Sequence, residues 1–389
     1  MKDAMTLSTA TVSSDFDADA DVPPNDPQDV VGRVWWADAV PERVGVFRAL
    51  MLGDMLCAVP LLRALKRAWP ESELTLVGLP WARELAQRLA VVDRFIEFPG
   101  FPGLPETFAD LAALPDFLRR MQEERFDLLL QVHGSGNITN PLVAACGAQH
   151  AAGFVEPGAY SPEPSLFAPW PAQGHEIERL LSLTDQLGIP RHGTALEFPV
   201  NDTDRIELAS LWPGAYGSQP YVCVHAGAQL PSRRWPAGRF AQVADALAQR
   251  GCRVVLTGTE SEAALVHEVE QAMTQPALNL AGKTDLWALG ALIEHARLLV
   301  CNDTGVSHIA AALGTPSVVV SSGADVSRWA PLDHALHPVL WHLVPCRPCA
   351  FVHCPYDEHP CAAGIAAETV IAATRRHMHA VDTRETADA

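Results

Sequence analysis

Two successive series of short apolar runs rich in β-branched residues, each run followed by a stretch of helical pattern, constrain this chain more than any other feature. In the first series the runs fall at residues 44–47, 73–77, 94–98 and 126–132. Helices are expected from the first turn to Trp69, then to Leu89, through Glu124 and near 137–146. In the second series the runs fall at 221–225, 253–257, 298–302 and 317–321, with helices near 237–250, 261–273, 286–294 and 306–313. Strands alternating with helices call for a mostly parallel sheet covered on both faces. Two such series predict two Rossmann-like, doubly wound α/β domains facing a central cleft, where ligands bind beyond the carboxyl ends of the strands. The expected boundaries are a flexible acidic extension over 1–42, a first domain over 43–200, a second over 201–378 and a flexible tail over 379–389. Within the first domain, a Pro- and Gly-rich loop is expected over 156–174 and a helix over 175–187, and the chain crosses to the second near 199–204.

Length and composition narrow the function classes. A chain of 389 residues, 48% hydrophobic, can bury two ordinary cores. Its formal net charge of −18 argues against a nucleic-acid partner. Part of that charge is local: nine acids against Lys2 and Arg33 fall within residues 1–42, a stretch too poor in apolar period to offset its ordering entropy. The apolar runs, such as 298–301 and 317–320, are far below the roughly 20 residues of a membrane span. Cys57, Cys146, Cys223, Cys252 and Cys301 stand alone in apolar surroundings and read as buried thiols of a reducing compartment, so a cytoplasmic location is expected. Arg63, Lys66, Arg67, Arg119 and Arg120 are either lipid-surface contacts at the inner face of the cytoplasmic membrane or solvated helix faces.

Three strand-to-helix turns carry the residues with chemical potential. After Arg48, Leu52-Gly53-Asp54 opens a helix whose apolar stripe includes Leu56, Val59, Leu62 and Leu65. Asp54 is there either an N-cap or a carboxylate at the cleft rim that takes a proton from an attacking hydroxyl. Gly53 lets the backbone approach a ligand closely. The second turn runs from His225-Ala226-Gly227 to Arg233-Arg234-Trp235-Pro236. Its small residues expose N–H groups to phosphate oxygens, and one arginine, for which Arg234 is preferred, adds charge and bidentate hydrogen bonds unless both are solvated surface cations. The third, Asp303-Thr304-Gly305-Val306-Ser307-His308, leaves a buried strand and opens an Ala-rich helix. Its free amides favour a pyrophosphate and Thr304 adds a hydroxyl, against readings of Asp303 as a plain N-cap and His308 as a structural histidine. After another strand, Glu260 is placed to accept hydrogen bonds from ribose hydroxyls or to complement a helix N-terminus. No GxGxxG turn follows the first strand, which sets aside a nucleotide-sugar epimerase or dehydrogenase.

Cys346-Arg347-Pro348-Cys349 is followed by Cys354 and Cys361. Four thiols so close in sequence are a candidate structural zinc or iron site. The second Cys-x2-Cys knuckle is missing, however, and free thiols or a redox disulfide compete with that reading.

The ordered set Arg48…Leu52-Gly53-Asp54…Pro60-Leu61-Leu62-Arg63-Ala64-Leu65…Trp69-Pro70, His225-Ala226-Gly227…Arg234-Trp235-Pro236 and Asp303-Thr304-Gly305-Val306-Ser307-His308…Gly314-Thr315-Pro316 resembles glycosyltransferase family 9, the lipopolysaccharide heptosyltransferases, across residues 43–378. The cysteine segment is similar to that of the heptosyltransferase II type, except that Tyr356-Asp357-Glu358-His359-Pro360 replaces the usual Gly-His stretch. The resemblance implies a GT-B fold with an N-terminal acceptor domain and a C-terminal domain for ADP-L-glycero-D-manno-heptose. It assigns Asp54 as the catalytic base, Arg234 to the donor phosphate, and Asp303, Thr304, Gly305 and His308 to the donor loop. Gly53 and Gly227 belong to the same motifs, and Glu260 joins the donor set with Glu262 as its competitor. The implied reaction is an inverting heptose transfer that requires no metal for chemistry, onto a lipopolysaccharide inner-core hydroxyl. A protein (autotransporter) heptosyltransferase and a non-catalytic nucleotide-sugar-binding protein are the alternatives on the same fold.

Overall fold

A computed structural model describes Trp36 and residues 40–385, with side chains through residue 378. The acidic extension, apart from Trp36 and its last residues, and residues 386–389 of the expected tail therefore lie outside the described residues, while 379–385 continue a helix rather than a flexible tail. Residues 40–385 belong to one compact unit, which carries everything below.

The first sheet contains β1 (Arg43–Phe47), β2 (Glu73–Gly78), β3 (Arg94–Glu97), β4 (Leu128–Gln131), β5 (His150–Val155) and β6 (Phe167–Pro169), in the order β3-β2-β1-β4-β5-β6. The second contains β7 (Tyr221–His225), β8 (Arg253–Thr257), β9 (Ala277–Asn279), β10 (Leu298–Asn302), β11 (Ser317–Ser321) and β12 (Val339–Trp341), in the order β12-β11-β10-β7-β8-β9. Read from its other edge, the second order is the same as the first. Central pairs are parallel: Val46 stands between Leu76 and Leu130, and Val300 between Val224 and Val318. Such strands are buried on both faces, which is why they read as unbroken apolar runs. Strand order reverses between β1 and β4 and again between β7 and β10, so each sheet opens a crevice beyond the carboxyl ends of its central pair.

Eight strands lie where the apolar runs predict them. The four others, β5, β6, β9 and β12, carry weak signals for physical reasons. β6, β9 and β12 are three-residue edge strands, and β6 ends in Pro169, which an edge tolerates. β5 runs through Ala151, Ala152 and Gly153, poor strand formers. Gly153 is required there, since a Cβ would lie 2.7 Å from the Gln131 carbonyl oxygen.

The helices that position the site are α1 (Leu52–Ala68), α2 (Glu176–Gln186), α3 (Asp202–Leu211), α4 (Ala237–Ala248), α5 (Leu286–Glu294), α6 (Gly305–Leu313) and α7 (Ala367–Glu385). The crossing near 199–204 turns directly into α3, started by a capping box between Asn201 and Asp204. α7, also unforeseen, packs Val370, Ala373 and Met378 into the core of the second sheet beside Ala244 and Leu247 of α4.

The crossing is tied to both halves. Arg63 of α1 donates to the Ala195 carbonyl at 2.6 Å and to Glu197 at 3.0 Å. Arg88 grips both oxygens of Asp204, at 2.5 and 2.9 Å, and lies 3.7 Å over the ring of Trp287, which stacks on Phe198. Most of the basic residues considered as lipid contacts are thus engaged in ion pairs: Arg63 with Glu197, Lys66 with Asp93, Arg119 with Glu123. Among the described residues, no helix is long and apolar enough to cross a membrane.

Asn302, fully buried at the end of β10, stitches the second crevice: its Nδ2 donates to the Ala226 carbonyl at 2.7 Å and its Oδ1 accepts from the Trp235 N–H at 3.0 Å. Asn302→Ala leaves both backbone groups unpaired in the core and should lower stability by about 1–3 kcal/mol, seen as a lower urea midpoint at unchanged slope.

Candidate active site

The two crevices meet. A cavity of about 230 Å³ is lined from the first half by Met51, Gly53 and Asp54, and from the second by Arg233, Asp303, Thr304, Gly305, His308 and Trp329, among others. A larger depression of about 910 Å³ on the first half contains none of the motif residues and is rimmed by charges that largely satisfy one another, such as Arg94 with Glu124 and Arg119 with Glu123.

The N-terminal turns of α1 and α6 abut, and motif glycines make this approach feasible. A Cβ on Gly53 would lie 2.8 Å from Cδ2 of His308, and one on Gly305 would lie 3.3 Å from the Leu52 Cβ. Gly227 is small for another reason, since a Cβ there would fall 2.2 Å from Oε1 of Glu262.

On the first half, the N-cap of α1 is Met51 and Asp54 is the third helical residue, so the N-cap reading of Asp54 is corrected. Burial raises the pKa of the half-buried Asp54, with Arg48, Arg328 and His133 opposing the rise and Glu176 adding to it. Arg48, fully buried, donates Nε to the Asp54 carbonyl at 2.9 Å, Nη1 to the Val132 carbonyl at 2.5 Å and Nη2 to Glu176 at 3.2 Å. His133, just beyond β4, accepts the Ala49 N–H at Nδ1 and places Nε2 3.6 Å from Glu106. Nothing in the sequence pattern marked Glu176, His133, Arg328 or Trp329. The chain order hides them because they come from elements remote from the three turns.

On the second half, the cation that reaches the cavity is Arg233, one residue before the expected Arg234. Pro231–Arg233 forms a 3-10 turn, Trp235 is fully buried, and Arg234 between them turns back to donate Nε to the Ala228 carbonyl at 3.0 Å. Arg233 donates Nη2 to the Cys349 carbonyl at 2.7 Å, while its buried Nη1 has no protein partner. Thr304, not Asp303, is the N-cap of α6, and its side chain makes no capping bond, so the first amides of the helix have no side-chain acceptor. The Asp303 carboxyl accepts from Ser321 Oγ at 3.0 Å and is shifted upward by burial. His308 is pushed down to about 4, chiefly by burial, and is therefore a neutral ring at physiological pH. Glu260 is exposed and does not line the cavity. Its competitor Glu262 is buried and closes a capping box with Thr259.

Cys57, Cys146, Cys223, Cys252 and Cys301 are buried free thiols, as expected. Cys346, Cys349, Cys354 and Cys361 are also free thiols, near enough that the other three reinforce burial in raising the Cys361 pKa. Among the described residues, however, no group of three or more His, Cys, Asp or Glu is arranged to hold a metal ion, so the zinc or iron considered from sequence finds no support in the structure. The segment braces the turn at Pro231–Arg233 and the end of β11. Ser232 Oγ donates to the Phe351 carbonyl at 2.6 Å, and Arg347 donates to the Ser321 carbonyl at 2.6 Å and Ser321 Oγ at 3.3 Å.

A family model described as glycosyltransferase family 9 (heptosyltransferase) matches residues 115–359. Lipopolysaccharide heptosyltransferase 3 of Escherichia coli (strain K12) is 27% identical over 296 residues, 72% of this chain and 82% of that protein. Lipopolysaccharide heptosyltransferase 2 of the same strain is also 27% identical, over 308 residues, 73% of this chain and 83% of that protein. Likeness to type II is therefore not separated from likeness to type 3. The solved structure of E. coli ADP-heptose lipopolysaccharide heptosyltransferase II superposes with a TM-score of 0.70 at 20% identity, covering 87% of this chain and 99% of that one. The fold is GT-B-like, two Rossmann-like domains.

The neutral histidine has a measurable consequence. The unfolded chain protonates His308 near the ordinary value of about 6.5, the folded chain only near 4, and His337 behaves alike. Their contribution to stability is complete above about pH 6.5 and is lost as pH falls toward 4. Melting temperature should fall over that window, and His308→Gln should flatten the fall; an identical pH slope in the variant would contradict the assignment.

Proposed function

The chain belongs to glycosyltransferase family 9, the heptosyltransferase family, and on that footing we propose that it moves heptose from ADP-L-glycero-D-manno-heptose to an acceptor hydroxyl of the lipopolysaccharide inner core, inverting the anomeric centre. The observation that carries this reading is the single cavity shared by Asp54 from one half and by Arg233, Asp303 and Thr304 from the other. Residues 43–200 are assigned to the acceptor and 201–378 to the donor.

In this reading the donor diphosphate lies against the first amides of α6 and accepts from the unpartnered Nη1 of Arg233. The cavity is smaller than the roughly 300–1,000 Å³ of typical small-molecule sites, so it suits the diphosphate and sugar while the nucleoside extends beyond it. Asp54, ionised, takes the proton of the acceptor hydroxyl as that oxygen attacks the anomeric carbon. The bond from that carbon to the diphosphate oxygen breaks, and its electron pair leaves with ADP. Arg233 and the helix N-terminus stabilise the charge that develops on the leaving group. Burial makes Asp54 a stronger base than a solvated carboxylate, provided the pH lies above its raised pKa. Glu260, outside the cavity, is left out of the donor set, and Gly53 and Gly227 act through packing.

Thermal shifts with ADP, UDP, GDP, CDP and ADP-heptose test the donor, because a ligand at about 100 times its dissociation constant stabilises by roughly 2.7 kcal/mol. A response confined to another nucleotide would overturn ADP-heptose. Product analysis with deacylated lipopolysaccharide inner core and with an autotransporter passenger protein separates the acceptor classes.

Asp54→Asn should lower transfer by about 10²–10⁴-fold with ADP binding retained, and the acid limb of the wild-type rate should lie above the ordinary aspartate value of about 3.9. Arg233→Ala should weaken ADP binding by about 1.5–3 kcal/mol, whereas Arg234→Ala should leave it nearly unchanged; the reverse order would return the phosphate role to Arg234.

A further inference from the structure

We infer that Glu176 is a positioning residue for the transfer step, acting on Asp54 through Arg48 and gripped from the opposite half of the molecule by Arg328. The inference deepens the reading of Asp54 as the base and rests on it.

Glu176 is the first residue of α2 and is 1% exposed, an expensive place for a lone carboxylate. It is not alone. Its Oε1 accepts from Arg48 Nη2 at 3.2 Å, and its Oε2 accepts from Arg328 Nε at 2.9 Å and from Arg179 Nη1 at 3.3 Å. Burial alone would raise its pKa, yet the three guanidinium groups hold it below the usual range, so it stays ionised.

What distinguishes this cluster from an ordinary buried ion pair is where its arms end. Arg48 uses its Nε on the carbonyl of Asp54 itself, so the guanidinium that Glu176 fixes also fixes the first turn of α1, from which the Asp54 side chain projects. Arg328 stands on the short helix Val326–Trp329 after β11, and its neighbour Trp329 lines the cavity. The residue before Glu176 adds a second tie: His175 accepts the Ile177 N–H at Nδ1, which leaves its Nε2–H to donate to the Ala330 carbonyl at 2.7 Å. The start of α2 is thus joined to the donor half at two points and to the base at one. Removing the carboxylate leaves Arg48 buried without its charge partner, free to shift the turn that carries Asp54.

The test uses the full chain, with ADP-heptose and deacylated lipopolysaccharide inner core as probes. Glu176→Gln should lower kcat by about 10- to 100-fold while the dissociation constant for ADP changes by no more than about threefold, and Glu176→Asp should recover part of the loss. Arg328→Gln, at a half-buried position less apt to disturb folding, should lower kcat in the same direction, and the double variant should lose less than the product of the two single losses. Hydrogen exchange supplies a readout independent of donor and acceptor: amides over residues 49–58 should exchange about tenfold faster in Glu176→Gln. Unchanged exchange there, unchanged kcat, or a loss confined to ADP binding would overturn the inference. Asp54→Asn run alongside separates the two claims, since its retained turnover would sink the base assignment while the exchange measurement still tests the positioning contact.

Discussion

The site depends on two helix N-termini being brought against each other across a cleft. α1 and α6 each begin immediately beyond a central strand of their own sheet, and each contributes a glycine at the contact, Gly53 against His308 and Gly305 against Leu52. A larger residue at Gly53 would press on the His308 ring and force the two turns, and with them Asp54 and Thr304, to shift, and one at Gly305 would crowd Leu52. The repeated strand order makes the encounter natural. When two sheets of the same topology face one another, each offers its crevice at the same place, so Asp54 and the turn at Thr304 need no special loops to find each other.

Burial then decides what the charges can do. The Asp54 and Asp303 carboxyls are both shifted upward and His308 is held neutral, all chiefly by removal from water. The cations resist the same pressure because guanidinium groups stay ionised at any working pH. The cavity therefore combines a carboxylate of enhanced basicity with permanent positive charge at Arg233, the pairing a displacement with an anionic leaving group requires.

The sequence displayed the architecture more clearly than the site. Residues 221–225, 253–257, 298–302 and 317–321 announce their strands because parallel central strands must be apolar throughout, whereas the three-residue edges and the Ala-Gly run of β5 carry no comparable signature. The turns holding Asp54 and Asp303–His308 were legible as motifs, since chemistry and helix start coincide in one short stretch. That Arg233 rather than Arg234 lines the cavity was not legible, because side-chain direction around a 3-10 turn cannot be read from adjacency. Glu176 and Arg328 were illegible for a deeper reason: they are 152 residues apart, and only the closed fold makes them one ion pair.

The cysteine segment takes part in the structure in a way that its residue types do not display. Four clustered thiols invite a metal, yet the polar groups of this segment that reach the turn at Pro231–Arg233 and the end of β11 are mostly not sulfur. The carbonyls of Cys349, Phe351 and Val352 take hydrogen bonds from Arg233 and Ser232, and Arg347 holds Ser321, whose hydroxyl in turn holds Asp303. Backbone carbonyls leave no trace in a pattern of residue types, so a segment acting through them is recognised only when its hydrogen bonds are followed one by one. The strand-helix repeat supplies the two crevices, and the segment after β12 sets the guanidinium of Arg233 at the cavity where they meet.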